Sequence, residues 1–174
     1  MPKTDPLIKI CGLTSEEQAL QVAKLGAHAI GIISVEDSPR YISAEIKKKI
    51  FNTLERFYPK IERVSVVQNC PIDLIIKNFL GNPSETIIQL HGDEDIDYCK
   101  EIRKKIPNIG LWKAFRIKPE NDIDKIKPFE DFVDAILLEM SSPSGLTSVR
   151  ISSIHSIDIP PANHQGLLNW RFFK

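Results

Sequence analysis

The sequence predicts an α/β fold in which parallel strands alternate with helices, and three observations carry that expectation. Short β-branched runs recur between amphipathic, charge-rich segments. Strand starts are spaced by roughly two to three dozen residues, about the length of a βα unit. Near-continuous apolar runs such as Ala29-Ile30-Gly31-Ile32-Ile33 mark strands covered on both faces. Two arrangements fit this pattern, a doubly wound open sheet and a (β/α)8 barrel. No G-x-G-x-x-G follows the first strand, which lowers the dinucleotide-binding form of the open sheet. A barrel requires eight strands and typically at least ~200 residues, and this chain has 174.

Six strands are predicted in order: Ile8 to Cys11, Ala29 to Val35, Arg63 to Gln68, Thr86 to Leu90, Gly110 to Phe115 and Ala135 to Glu139. The first helix has Ser15 as N-cap, Glu16 and Glu17 in its first turn, an apolar face of Ala19, Val22 and Ala23, and a stop at Gly26. Further helices run from about Ala44 to Phe57, Ile72 to Leu80 and Ile96 to Ile106, with a weaker one near Asp122 to Phe129. After Met140 the rhythm breaks into a Ser- and Pro-rich tail, with room for short elements at Val149 to Ile154 and Leu167 to Phe173. The expectation is one domain over residues 1–174, of which 140–174 is a divergent tail. Six parallel strands left open would expose two edges, which need covering or pairing.

Composition excludes several classes. Hydrophobic residues make up 42% and charged residues 26%, an ordinary globular balance. Lys plus Arg and Asp plus Glu each number 23, so the formal charge is zero and neither a nucleic-acid nor an anionic-membrane partner is expected. The amino terminus lacks the apolar core of a signal peptide, and no run approaches a membrane span. Cys11, Cys70 and Cys99 are odd in number and widely spaced, which fits a reducing compartment; the expected location is the cytoplasm, or a stroma after removal of a leader. With no C-x-x-C pair and histidines scattered at 28, 91, 155 and 164, no metal is expected.

Candidate site residues fall at strand ends. Cys11 closes strand one in Lys9-Ile10-Cys11-Gly12, where parallel α/β folds put their chemistry; it reads as a base or nucleophile, or as a small apolar filler. Ser38-Pro39-Arg40-Tyr41 follows strand two, Asn69 follows strand three, Gln89-Leu90-His91-Gly92-Asp93-Glu94 closes strand four, and Glu139 ends strand six. Gln89 points inward and needs hydrogen-bond partners. Asp93 and Glu94 read as acidic residues stabilising the start of the next helix. Cys70 and Cys99 fall outside these motifs and read as structural or incidental.

In order and spacing, these motifs over residues 7 to 139 resemble the phosphoribosylanthranilate isomerase family of tryptophan biosynthesis. The resemblance implies a TIM-barrel type of fold, here incomplete, with about six parallel strands and their helices. It implies an Amadori rearrangement of a small phosphorylated substrate without metal or organic cofactor. It assigns the base to Cys11, with Lys9 two residues away on the same face as a neighbouring cation, and the acid to the carboxyl group ending strand six. That group is Glu139 here, one methylene longer than the aspartate of the family pattern. Arg40 would hold the anthranilate carboxylate, or is a turn arginine anchored by Pro39. His91 would orient substrate, or is a polar residue of the strand-to-helix turn. The pattern's glycine-rich loop and D-W pair are reduced to Gln165-Gly166-Leu167-Leu168-Asn169-Trp170, and the phosphate-binding strands seven and eight have no counterpart before Lys174. Two readings follow: the isomerase, or a shortened non-catalytic relative binding a partner or weak ligand. Either could self-associate or accept a complementing chain through open sheet edges.

Overall fold

The computed structural model describes residues 7–117, 123–140 and 149–153. In chain order the elements are β1 (Lys9–Cys11), α1 (Glu16–Lys24), β2 (Ala29–Ile33), α2 (Ala44–Phe57), β3 (Glu62–Val67), α3 (Ile72–Gly81), β4 (Ile87–Leu90), α4 (Ile96–Lys105) and β5 (Gly110–Ile117). A short α5 (Ile123–Ile126), a 3-10 turn (Lys127–Phe129), β6 (Ala135–Met140) and β7 (Val149–Ser153) complete the set. The strands lie side by side in the order β1 to β7. β1 to β6 are parallel, and β7 runs antiparallel to β6 with Leu137 opposite Ile151.

Local signals explain most boundaries. Ser15 Oγ accepts the Gln18 N–H at 3.2 Å to cap α1, Ser43 Oγ accepts the Ile46 N–H at 3.4 Å to cap α2, and Asp95 Oδ1 accepts the Tyr98 N–H at 2.8 Å to cap α4. The helix predicted near Asp122 to Phe129 is one turn of α-helix followed by a 3-10 turn. Pro128 supplies no N–H, which shortens that helix. β2 ends at Ile33, two residues before the predicted Val35, although Ile33 pairs once more with Tyr41 and so ties the Arg40 turn to the sheet. The predicted segment Val149 to Ile154 is a strand, but it reverses direction against β6 instead of continuing the parallel series. The segment Leu167 to Phe173 and the Gln165 to Trp170 echo lie outside the described residues.

The sheet separates two apolar zones. On the helix side, Ile30 and Ile32 pack with Ala19, Ala23, Ile50, Phe51 and Leu54, and a second cluster gathers Ile88, Leu90, Ile102, Leu111 and Ile136. The opposite face holds a smaller cluster of Ala29, Val64 and Ile87 against Trp112. That face is concave. Strands three apart in a flat sheet lie ~14 Å apart, yet Lys9 of β1 donates to Gln89 of β4 at 2.7 Å. The fold is therefore a curled partial barrel of parallel strands covered by helices.

On the outer layer, Lys47 of α2 pairs with Glu85 at 3.3 Å and donates to Ser65 Oγ of β3 at 3.0 Å, pinning helix to sheet. Burial pushes the Glu85 carboxyl up, against the pull of Lys47. Phe51 is fully buried in this layer. We expect Phe51→Ala to lower stability by about 3–5 kcal/mol in urea unfolding; a loss below about 1 kcal/mol would show that α2 is not packed as described.

Candidate active site

Alternation along β1 turns Lys9 and Cys11 to the concave face and Ile10 to the other side. Cys11 lies in register with Gly31 of β2, and the missing side chain at Gly31 is what admits the site. A Cβ there would stand 2.6 Å from Cys11 Sγ and 3.1 Å from Lys9 Nζ. Thiol and ammonium thus sit over the same bare backbone. Lys9 Nζ then reaches across to Gln89 Oε1, which satisfies the inward-facing amide.

Arg40 joins from the β2 end. Gly12 has φ +82°, and a Cβ there would stand 2.8 Å from Arg40 Nη1 and 2.9 Å from its Cδ, so the arginine lies across the backbone next to Cys11. The turn is held by the Arg40 N–H donating to Ser38 Oγ at 3.2 Å and by the Ile33–Tyr41 bridge. The guanidinium itself is exposed.

Glu139, next to last in β6, has its side chain 8% exposed. Its Oε1 stands 3.0 Å from His91 Nε2 of the β4 end, and its Oε2 stands 3.9 Å from Arg116 Nε of β5. The contact is short, and His91 Nε2 has no other hydrogen-bond partner. His91 is the main cause holding the Glu139 carboxyl below its usual range, assisted by Arg116 and Lys9 and opposed by burial. The resting carboxylate is ionised. Cys11, Lys9, Gln89, His91 and Glu139 therefore share the concave rim at the strands' carboxyl ends, with Arg40 at its border.

Glu94 departs from its expected place. It does not cap α4, a task that falls to Asp95, but turns inward as one of the most buried carboxylates of the fold. Its oxygens accept the Asn69 N–H at 2.8 Å and the Gly92 N–H at 2.9 Å, and pair with Lys113 of β5 at 3.2 Å. Asn69, with φ +47°, accepts the Asp93 N–H on Oδ1 at 2.7 Å. Asp93 itself stays exposed. Lys113 was not singled out in the sequence, though a lysine inside the apolar run of β5 was the available signal. A cavity of about 390 Å³ opens here, lined by Gln68, His91, Glu94, Lys113, Arg116 and Phe129 among others. Cys99 is buried and its thiol pushed up to about 11, and burial also raises Cys70. Among the described residues no three His, Cys, Asp or Glu side chains cluster to hold a metal ion, and no helix is long and apolar enough to cross a membrane.

A curled parallel sheet carrying a thiol, an ammonium, an amide and a carboxylate on its carboxyl-end rim defines a βα-barrel type of protein with its polar groups where such folds place their sites. Residues 8–153 match the family model of N-(5'-phosphoribosyl)anthranilate isomerase, and the chain belongs to that family. It is 39% identical over 140 residues to the N-(5'-phosphoribosyl)anthranilate isomerase of Trichodesmium erythraeum, covering 80% of this chain and 59% of the relative. Against that of Synechococcus elongatus the identity is 38% over 139 residues, covering 80% and 63%. Among solved structures, the phosphoribosyl anthranilate isomerase of Thermotoga maritima superposes with a TM-score of 0.70 at 30% identity, over 88% of this chain and 68% of that one. A phosphoribosyl anthranilate isomerase in complex with reduced 1-(o-carboxyphenylamino)-1-deoxyribulose 5-phosphate gives 0.69 at 31%, over 79% and 66%. The chain thus spans about three fifths of the length of the curated relatives it matches.

The Glu139 contacts predict a pH effect. A carboxyl whose folded pKa lies below its ordinary 4.5 adds stability that is fully present above that value and is lost as pH falls through the folded pKa. We expect Glu139→Gln to flatten the acid limb of stability below about pH 4.5 in urea titrations from about pH 6 to about pH 3. An unchanged acid limb would show that His91 and Arg116 do not bias this carboxylate.

Proposed function

We propose that the chain acts as an N-(5'-phosphoribosyl)anthranilate isomerase, carrying out the Amadori rearrangement of a phosphorylated ribosyl anthranilate without metal or organic cofactor. The observation that carries this reading is the meeting of Cys11, Lys9, Gln89, His91 and Glu139 on one rim, from β1, β4 and β6, in a chain of that family.

In the reading, a proton delivered to the ribose ring oxygen lets the C1–O bond break to a Schiff base. Cys11 then takes the C2 proton, giving an enolamine, and returns it to C1 while the 2-hydroxyl proton passes to the Glu139 carboxylate and the ketone forms. The acid cannot be Glu139 alone in its resting form, since an ionised carboxylate has no proton to give. His91, its Nε2 3.0 Å from Glu139 Oε1, is the neighbouring group able to pass a proton to that carboxylate. Lys9 stands over the same bare backbone as Cys11 and is itself held by Gln89. Arg40 presents a planar fork to the anthranilate carboxylate. Small phosphorylated ligand, no nucleic acid and a cytoplasmic location complete the proposal, with self-association or a complementing chain at the sheet edges.

One observation favours a second reading, a relative that binds without turnover. β7 runs antiparallel to β6, where a further parallel strand would extend a barrel. The two readings separate in a fluorescence assay of anthranilate loss. The isomerase reading expects turnover that falls at least about 100-fold in Cys11→Ala, the scale of a lost general base. Glu139→Asp should raise the rate if carboxylate reach limits it. Unchanged turnover in Cys11→Ala would remove Cys11 as base, and no turnover by any form would favour the binding-only relative.

A further inference from the structure

We propose that Glu94 and Lys113 are positioning residues of the site, bracketing the His91-Gly92 turn so that the imidazole stays against Glu139. The proposal rests on the isomerase reading for its ligand measurement alone. Gly92 follows His91 directly, and both of its backbone polar groups are taken. Its N–H donates to Glu94 Oε2 at 2.9 Å, and its carbonyl accepts from Lys113 Nζ at 2.7 Å. On the other side of the turn the His91 N–H donates to the Val67 carbonyl at 2.9 Å. Lys113 adds a bond to its neighbour's carbonyl, Ala114, at 3.2 Å. A Cβ at Gly92 would stand 2.8 Å from the Asn69 N, so only glycine lets the turn seat this closely.

Stability alone does not account for such a pair. Glu94 and Lys113 side chains are 1% and 3% exposed, and a buried ion pair replaced by apolar groups of similar volume is often neutral or even stabilising. Its distinctive effect is geometric, because one carboxylate collects donors from the loops after β3 and β4 and from within β5, and so holds the turn that carries the histidine. The Lys47–Glu85 pair is the internal comparison. It is similarly buried and ties α2 to the sheet, but it touches nothing on the concave rim.

The test uses the full chain with Glu94→Gln, the double variant Glu94→Gln/Lys113→Met, and Lys47→Met/Glu85→Gln as control. The groups facing the Glu139 carboxylate are His91, Arg116 and Lys9. Its titration, followed by carbon NMR and assigned with Glu139→Gln, therefore reports whether His91 is in place. We expect the folded double variant to show the Glu139 titration moved back up. We also expect the dissociation constant of reduced 1-(o-carboxyphenylamino)-1-deoxyribulose 5-phosphate to rise about tenfold by calorimetry. The control should change thermal stability without moving Glu139. A folded variant with the Glu139 titration of the unaltered chain overturns the proposal. So does failure of both Glu94 variants to fold while the control folds, since the pair is then a folding determinant. If the unaltered chain does not bind the analogue, the isomerase reading fails and the Glu139 titration alone decides the positioning role.

Discussion

The bond from Lys9 to Gln89 across the concave face is the contact on which the rim depends. It joins strands that a flat sheet would keep far apart, so it exists only because the sheet curls, and it shows how tightly. The curl in turn needs a bare backbone beneath the two side chains, which Gly31 supplies. An amide is a fitting partner for the ammonium here. It holds the lysine by a hydrogen bond without cancelling its charge, so that Lys9 still pulls on the Glu139 carboxylate from across the cavity.

Much of this was legible in the chain. The six parallel strands follow from β-branched runs whose apolar residues leave no polar face, and helix starts at Ser15 and Ser43 follow from side-chain oxygens that cap free N–H groups. Cys11, Gln89, His91 and Glu139 were marked as polar residues at or near the end of an apolar run, whereas Arg40, in a turn, was marked only by the family resemblance. Glu94 was misread because three successive acidic residues before a helix look alike in sequence, and only the fold decides which one turns inward. Asp95 takes the cap, Asp93 the solvent and Glu94 the interior. Lys113 escaped for the converse reason: its partners are carbonyls and a carboxylate from other segments, and no local pattern announces them.

The two faces of the sheet use charge differently. On the helix side charges are paired and enclosed, as in Lys47–Glu85 and Glu94–Lys113, and they fasten layers and loops. On the concave side Glu139 lies 3.0 Å from the His91 imidazole and 3.9 Å from the Arg116 guanidinium, with the Lys9 ammonium acting from further off. Such a carboxylate stays ionised yet retains oxygen lone pairs for a ligand, a combination that closed ion pairs cannot offer. The extra methylene of glutamate lengthens the reach of that group from the β6 end.

The chain-order arrangement of the strands has a consequence for how the molecule is made. Each strand pairs with its neighbour in sequence, so during synthesis the sheet can grow one strand at a time from its first edge. The rim cannot. Lys9 must wait for Gln89, 80 residues later, and His91 must wait for Glu139 beyond it. Loop closure over such separations is slow to be repaid. Scaffold and rim are therefore separated in time, the rim closing only once β6 has been made and its occupancy reporting that β1, β4 and β6 have met.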